Sequence, residues 1–175
     1  MIRRNLFSVI ATVIIIMMMA GCKKDDDKIL NQLTIAGNST AEYNGDYIPE
    51  DGHYYGPYEV QCVNTTYGSY IWIDLSSNAV LRIEMILPSD ATALPEGTYS
   101  PSPGECEDGF YAVFYPNYYG AKNGGLVLSS GTVKIDKQGS DYSVDVNLGI
   151  HSLSGGGTLK GNFFGPLPMI ENGIK

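Results

Sequence analysis

Two short segments crowd tyrosine against glycine and proline: His53-Tyr54-Tyr55-Gly56-Pro57-Tyr58 and Tyr115-Pro116-Asn117-Tyr118-Tyr119-Gly120. A tyrosine offers a flat apolar face with a hydroxyl at its edge, which suits stacking on a sugar ring or a peptide from a preformed loop. Tyr54, Tyr55, Tyr58, Tyr118 and Tyr119 are therefore the candidate ligand-binding residues, on the condition that both segments reach one end of the sheets. The competing reading of these residues is a plug, with rings closing the end of a small β domain and hydroxyls reaching water. Trp72 is out of phase with Ile71 and Ile73, so it belongs either to a second core face or to an exposed platform.

Catalysis finds little to work with. A nucleophile needs a base within hydrogen-bond reach, and the only histidines are His53, in a Gly/Tyr turn, and His151, beside a glycine loop. Neither belongs to a nucleophile motif, and no phosphate-cradling glycine loop stands between a strand and a helix. Paired carboxylates could hydrolyse a glycosidic bond, but Glu50, Asp51, Glu105, Glu107 and Asp108 fall in turns. The run Glu105-Cys106-Glu107-Asp108-Gly109 lacks the spaced acids of a calcium loop. No cysteine or histidine spacing suits zinc. The expectation is a protein that is not an enzyme and carries neither cofactor nor metal. Cys62 and Cys106 are either bridged by a disulfide, permitted in an exported chain, or free and buried.

The elements that must position the tyrosines alternate with period two. In Tyr70-Ile71-Trp72-Ile73-Asp74-Leu75, the residues Ile71, Ile73 and Leu75 share a face. Ser76-Ser77-Asn78 then turns the chain, and Leu81, Ile83, Met85 and Leu87 answer opposite Arg82 and Glu84 as the second half of a hairpin. Phe110 to Tyr115 is apolar on both faces, which implies burial between layers or an aromatic outer surface. Thr132 to Asp136 and Tyr142 to Leu148 form a second hairpin, and Thr158 to Phe164 follows a triple-glycine loop. Gly97-Thr98-Tyr99 reads as a short strand or edge, and Ile29 to Thr40 as a tether able to order against the domain. About eight short strands with no sustained helical period predict an all-β fold, an antiparallel meander forming a small β-sandwich or a lipocalin-like barrel.

Ahead of these strands, Arg3 and Arg4 precede an apolar run from Leu6 that ends in Met17-Met18-Met19-Ala20-Gly21-Cys22. This resembles a bacterial lipoprotein signal with its lipobox. The run is too short to span a bilayer, which takes about 20 residues. The resemblance implies cleavage before Cys22 and lipidation of Cys22, a lasting membrane anchor once more than one chain is attached. Lys24-Asp25-Asp26-Asp27-Lys28 resembles the surface-export signal of Bacteroidetes lipoproteins, and Lys23 is not the aspartate that favours inner-membrane retention. The expected layout is a signal peptide over 1–21, a lipidated N-terminus and tether over 22–42, and one β domain over 43–175. The body also looks like small, uncharacterised lipoproteins of gut Bacteroidetes, on turn glycines and alternation around Leu94 to Tyr99, Ser130 to Ile135 and Gly157 to Leu167. That likeness implies architecture, sandwich-like or lipocalin-like, and no activity.

The formal net charge of −8 falls to −10 if Arg3 and Arg4 leave with the signal. Nucleic acid is thereby excluded as a partner, and so is a second, electrostatic grip on anionic lipid. The expected function is an outer-membrane lipoprotein at the cell surface that acts as a non-enzymatic binding or accessory module for an extracellular ligand such as a glycan. The alternatives are a lipocalin-like carrier of a small apolar molecule and a structural or assembly subunit of an outer-membrane complex.

Overall fold

Apolar alternation along nearly every strand decides the architecture, because each strand has one face to bury and sequential strands pair most readily. The computed structural model describes residues 31–60, 66–87, 93–103, 109–118 and 124–170. Cys22, Cys62, Cys106 and the whole 1–21 segment lie outside the described residues. Among those described, the strands are β1 (Gln32–Ala36), β2 (Gly45–Tyr47), β3 (Pro49–Val60), β4 (Thr66–Leu75), β5 (Ala79–Leu87), β6 (Gly97–Tyr99), β7 (Phe110–Tyr115), β8 (Leu126–Gln138), β9 (Asp141–Ile150), β10 (Thr158–Pro166) and β11 (Met169–Ile170). The fold is all-β.

The strands form one sheet in the order β11-β3-β4-β5-β7-β8-β9-β10-β1-β2, with β6 paired to β8. The long strands are antiparallel to their neighbours, and β11 runs parallel to β3. Only Ile48 separates β2, which pairs with β1, from β3, which pairs with β4. β2, at one end of this order, and β3, next to the other end, are therefore halves of one continuous stretch, and eight staves run in sequence order around a barrel-like body in which β10 pairs with β1. The tether expected over 22–42 is shorter than its sequence suggests: residues 32–36 are a stave, paired with Thr158–Asn162.

At one end the barrel flares, and short segments fill both gaps. β8 pairs with β7 only over Leu126–Leu128, and β6 occupies the place beside Val133–Ile135. The chain after β6 bonds back to β7, with Phe110 N–H donating to Ser100 O at 3.0 Å. On the other side, β11 lies beside Tyr54 and Tyr55, and Tyr54 N–H donates to Pro168 O at 3.1 Å. Leu167 turns inward there against Gly52, where an added Cβ would lie 2.7 Å from the leucine and 2.8 Å from Phe163. The missing side chain at Gly52 leaves room for these two side chains to meet the strand.

Inside, the inward residues of every stave merge into one core that includes Leu33, Ile71, Ile83, Phe114, Ile135, Val144 and Leu159. Rings cross the interior as well: Tyr47 meets Phe114 edge-on at 4.9 Å, and Tyr54 meets Tyr142 at 6.4 Å. An eight-stranded barrel has an interior about wide enough for side chains to fill. The apolar side faces in, the reverse of a barrel that spans lipid. At the end opposite the flare, the buried Asn38 side chain ties the β1–β2 connection to the β9–β10 loop by donating to Ser154 O and Gly156 O, each at 2.9 Å.

Candidate functional aromatic face

A half-solvated sheet should place polar residues on its outer face, and half of this barrel does so. Thr132, Lys134 and Asp136 on β8, Asp145 and Asn147 on β9, and Lys160 on β10 point outward, and Lys134 pairs with Asp136. The other half, β3-β4-β5-β7, departs from the rule. Its register builds two cross-strand rows on the outer face: Tyr55-Tyr70-Glu84-Tyr111, and His53-Trp72-Arg82-Val113. A third row carries Asp51, Asp74, Val80 and Tyr115.

The rings of these rows touch in sequence. Tyr55 and Tyr70 stand 4.4 Å apart between centroids, His53 and Tyr55 5.1 Å, and His53 stacks on Trp72 at 6.2 Å. Trp72 meets Tyr118 edge-on at 4.8 Å, and Tyr118 meets Tyr115 at 5.4 Å. Six aromatic side chains thus form a continuous ladder on the solvent side, each contact in the range where ring quadrupoles attract. Tyr111, beside Glu84, is 52 % exposed and Tyr118 is 38 % exposed, whereas Val80 is fully buried beneath the same face.

Polar groups hold the ladder in place. The Tyr118 N–H donates to Asn78 O at 2.9 Å, so the turn after β7 is pinned to the β4–β5 turn. That turn places Ser77 and Asn78 at φ +65° and +58°, a conformation asparagine tolerates better than most residues. Trp72 Nε1 donates to Asp74 at 3.1 Å, and His53 Nε2 lies 3.3 Å from the Tyr55 hydroxyl. Arg82 donates to Glu84 at 3.0 Å and places its guanidinium carbon 4.9 Å from the Tyr70 ring centroid. The Arg82 Nε is buried without a hydrogen-bond partner, a cost that the guanidinium–ring contact offsets in part. Burial, and then the neighbouring Tyr55, push the Tyr70 hydroxyl above its ordinary titration range, with Arg82 pulling the other way.

The structure divides the residues singled out in the sequence. Tyr55 and Tyr118 join the ladder, linked through His53 and Trp72. They lie along the flank of the barrel, not at one end of the sheets as the tyrosine segments suggested. Tyr54 faces the core, 6 % exposed, and burial pushes its hydroxyl up in titration. The backbone of Tyr58 pairs with Gly68, while its side chain and all of Tyr119 lie outside the described residues. Trp72 points outward, on the side of the platform alternative, but is half-buried among its neighbours, and Phe110 to Tyr115 takes the aromatic outer surface, with Tyr111 and Tyr115 outward and Phe110, Ala112 and Phe114 inward. His151 caps a short 3-10 turn, its Nδ1 accepting from Leu153 N–H at 3.1 Å. Sequence reasoning left Tyr70, Arg82, Tyr111 and Tyr115 out of the site, although their phase opposite Ile71, Ile83 and Phe114 marks them as outward. Among the described residues, no group of three or more histidine, cysteine or acidic side chains could hold a metal ion.

Compared with protein-family models, with curated proteins and with solved structures, the chain finds no match in any of the three.

Proposed function

We propose that the chain is a lipid-anchored outer-membrane protein, exposed at the cell surface, whose barrel-like body binds an extracellular glycan without catalysing a reaction on it. The observation that carries the binding reading is the outward ladder of six rings on β3, β4, β7 and the following turn, in a sheet whose other half is polar outside. Sugar rings present apolar C–H faces and hydroxyl edges, which match aromatic faces bordered by Asp74, Glu84 and His53. The barrel interior supports a carrier role less well, because its cross-section is spent on the Tyr47–Phe114 and Tyr54–Tyr142 contacts.

The anchor at Cys22 rests on the lipobox-like run and the acidic segment after it. From Cys22 to Asn31 the chain can extend at most about 30 Å, so an anchored body stays near its membrane, with the start of β1 toward it.

The test is a glycan array followed by calorimetry on the purified protein and on a Tyr111→Ala/Tyr118→Ala variant, chosen because both side chains are exposed and small changes there leave the core alone. Truncating anchors of this kind costs more than about 1.4 kcal/mol, a tenfold loss of affinity. A loss of at least that size in a variant with unchanged unfolding temperature supports the reading. Unchanged affinity moves the site off this face, and no glycan bound by the parent protein removes the glycan reading.

A further inference from the structure

Resting on the glycan reading, we infer that the aromatic face takes an uncharged glycan and discriminates against the sulfated or uronate-bearing form of the same chain. The charges around the ladder lead to this. Among the described residues, Arg82 is the one lysine or arginine on the outer face of β3, β4, β5 and β7, and it is already engaged by Glu84 and by the Tyr70 ring. A bound sulfate or uronate would find no second lysine or arginine among those residues to replace its lost water, and burying an unpaired anion is costly.

The acids point the same way. Asp51 and Asp74 stand directly opposite each other on β3 and β4, one row from Trp72 and His53. Each is oriented by a donor, Asp51 by the Gly52 N–H at 2.7 Å and Asp74 by the Trp72 indole at 3.1 Å. Oriented carboxylates accept hydrogen bonds, and the hydroxyls of a neutral sugar donate them. Toward an anion the same carboxylates are repulsive. Like charges directly opposite across two strands also weaken a sheet, so Asn in both places should leave the fold at least as stable. That keeps the obvious variant testable.

The experiment is calorimetric titration of the purified protein with a neutral oligosaccharide identified on the array and with its sulfated counterpart, at about 20 mM and about 500 mM salt, a range over which charge screening becomes strong. The neutral form should bind at least tenfold tighter at low salt, with the gap closing at high salt. Asp51→Asn/Asp74→Asn should narrow the gap severalfold, while Asp136→Asn/Asp145→Asn on the polar side should leave it in place. A sulfated form that binds equally or more tightly overturns the inference and leaves glycan binding standing. Equal narrowing by the two variants also overturns it, because net charge alone would then set the preference. Absence of binding by either sugar takes down the underlying reading together with this one.

Discussion

Gly161 occupies the one kind of position where a single methyl group can move a barrel wall. It sits at φ +140°, and a Cβ there would lie 1.9 Å from the Gln32 carbonyl oxygen on β1. Gly161→Ala should therefore cost about 1–3 kcal/mol, through backbone strain and displacement of β1 from β10. Gly124→Ala, built into open space, should stay within about 0.5 kcal/mol of the parent. Urea unfolding midpoints of the two variants check this pair. At the same scale, the sequence predicted well wherever alternation was clean. Leu81, Ile83 and Met85 face in and Arg82 and Glu84 out, as the pattern requires. Between Tyr54 and Tyr55 it could not choose. The register of β3 shifts between Pro49 and Asp51 and again between Tyr55 and Tyr58, and each such irregularity resets which face a side chain takes. Nothing in a run of tyrosines and glycines marks where those shifts fall.

The short elements seal the barrel although they contribute few hydrogen bonds. Leu167 is 4 % exposed beside Gly52 and Phe163 and fixes the approach to β11. Leu167→Ala should cost about 2–5 kcal/mol, the range for a buried leucine in a site that cannot collapse. It should also speed amide exchange at Tyr54, whose N–H donates to the residue after Leu167. Exchange at Ile71, paired on the far side of β3, should accelerate only as far as the loss of global stability requires, and mass spectrometry or NMR can separate the two. The long hairpins β4–β5 and β8–β9 were legible because six or more alternating residues outvote any local ambiguity. A two-residue strand such as β11 has no period to detect. β1 resembles a tether in sequence because Gln32 to Ala36 shows two apolar positions and then meets breaker chemistry at Gly37 to Thr40. Its partner, β10, lies at the opposite end of the chain, and only that pairing turns the segment into a stave.

At the level of the whole molecule, the tyrosines make stability depend on alkaline pH. Burial, as the leading cause, raises the titration of Tyr47, Tyr54, Tyr70 and Tyr99 above the ordinary value near 10.0. The folded state holds these protons more tightly than the unfolded chain. Their contribution is therefore complete below about pH 10 and is lost as pH rises toward the higher folded-state values. Unfolding midpoints measured from about pH 8 to pH 11.5 should stay level and then fall, and replacing Tyr99 by Phe should soften the fall. The architecture itself was legible as a consecutive meander, while the return of the sheet on itself was not, because it depends on one stretch of chain, β2 with β3, pairing with β1 near one edge and with β4 near the other. That double service also governs the order in which the molecule can form. β1 is made first and β10 nearly last, so a chain emerging from its N-terminus can pair Leu33 and Ile35 with β2 but lacks their second neighbouring strand until residues 158–162 have followed. Contacts this distant in sequence form slowly. The local hairpins can pair as they are made, but the eight-strand body is completed only once residues 158–162 are in place beside β1.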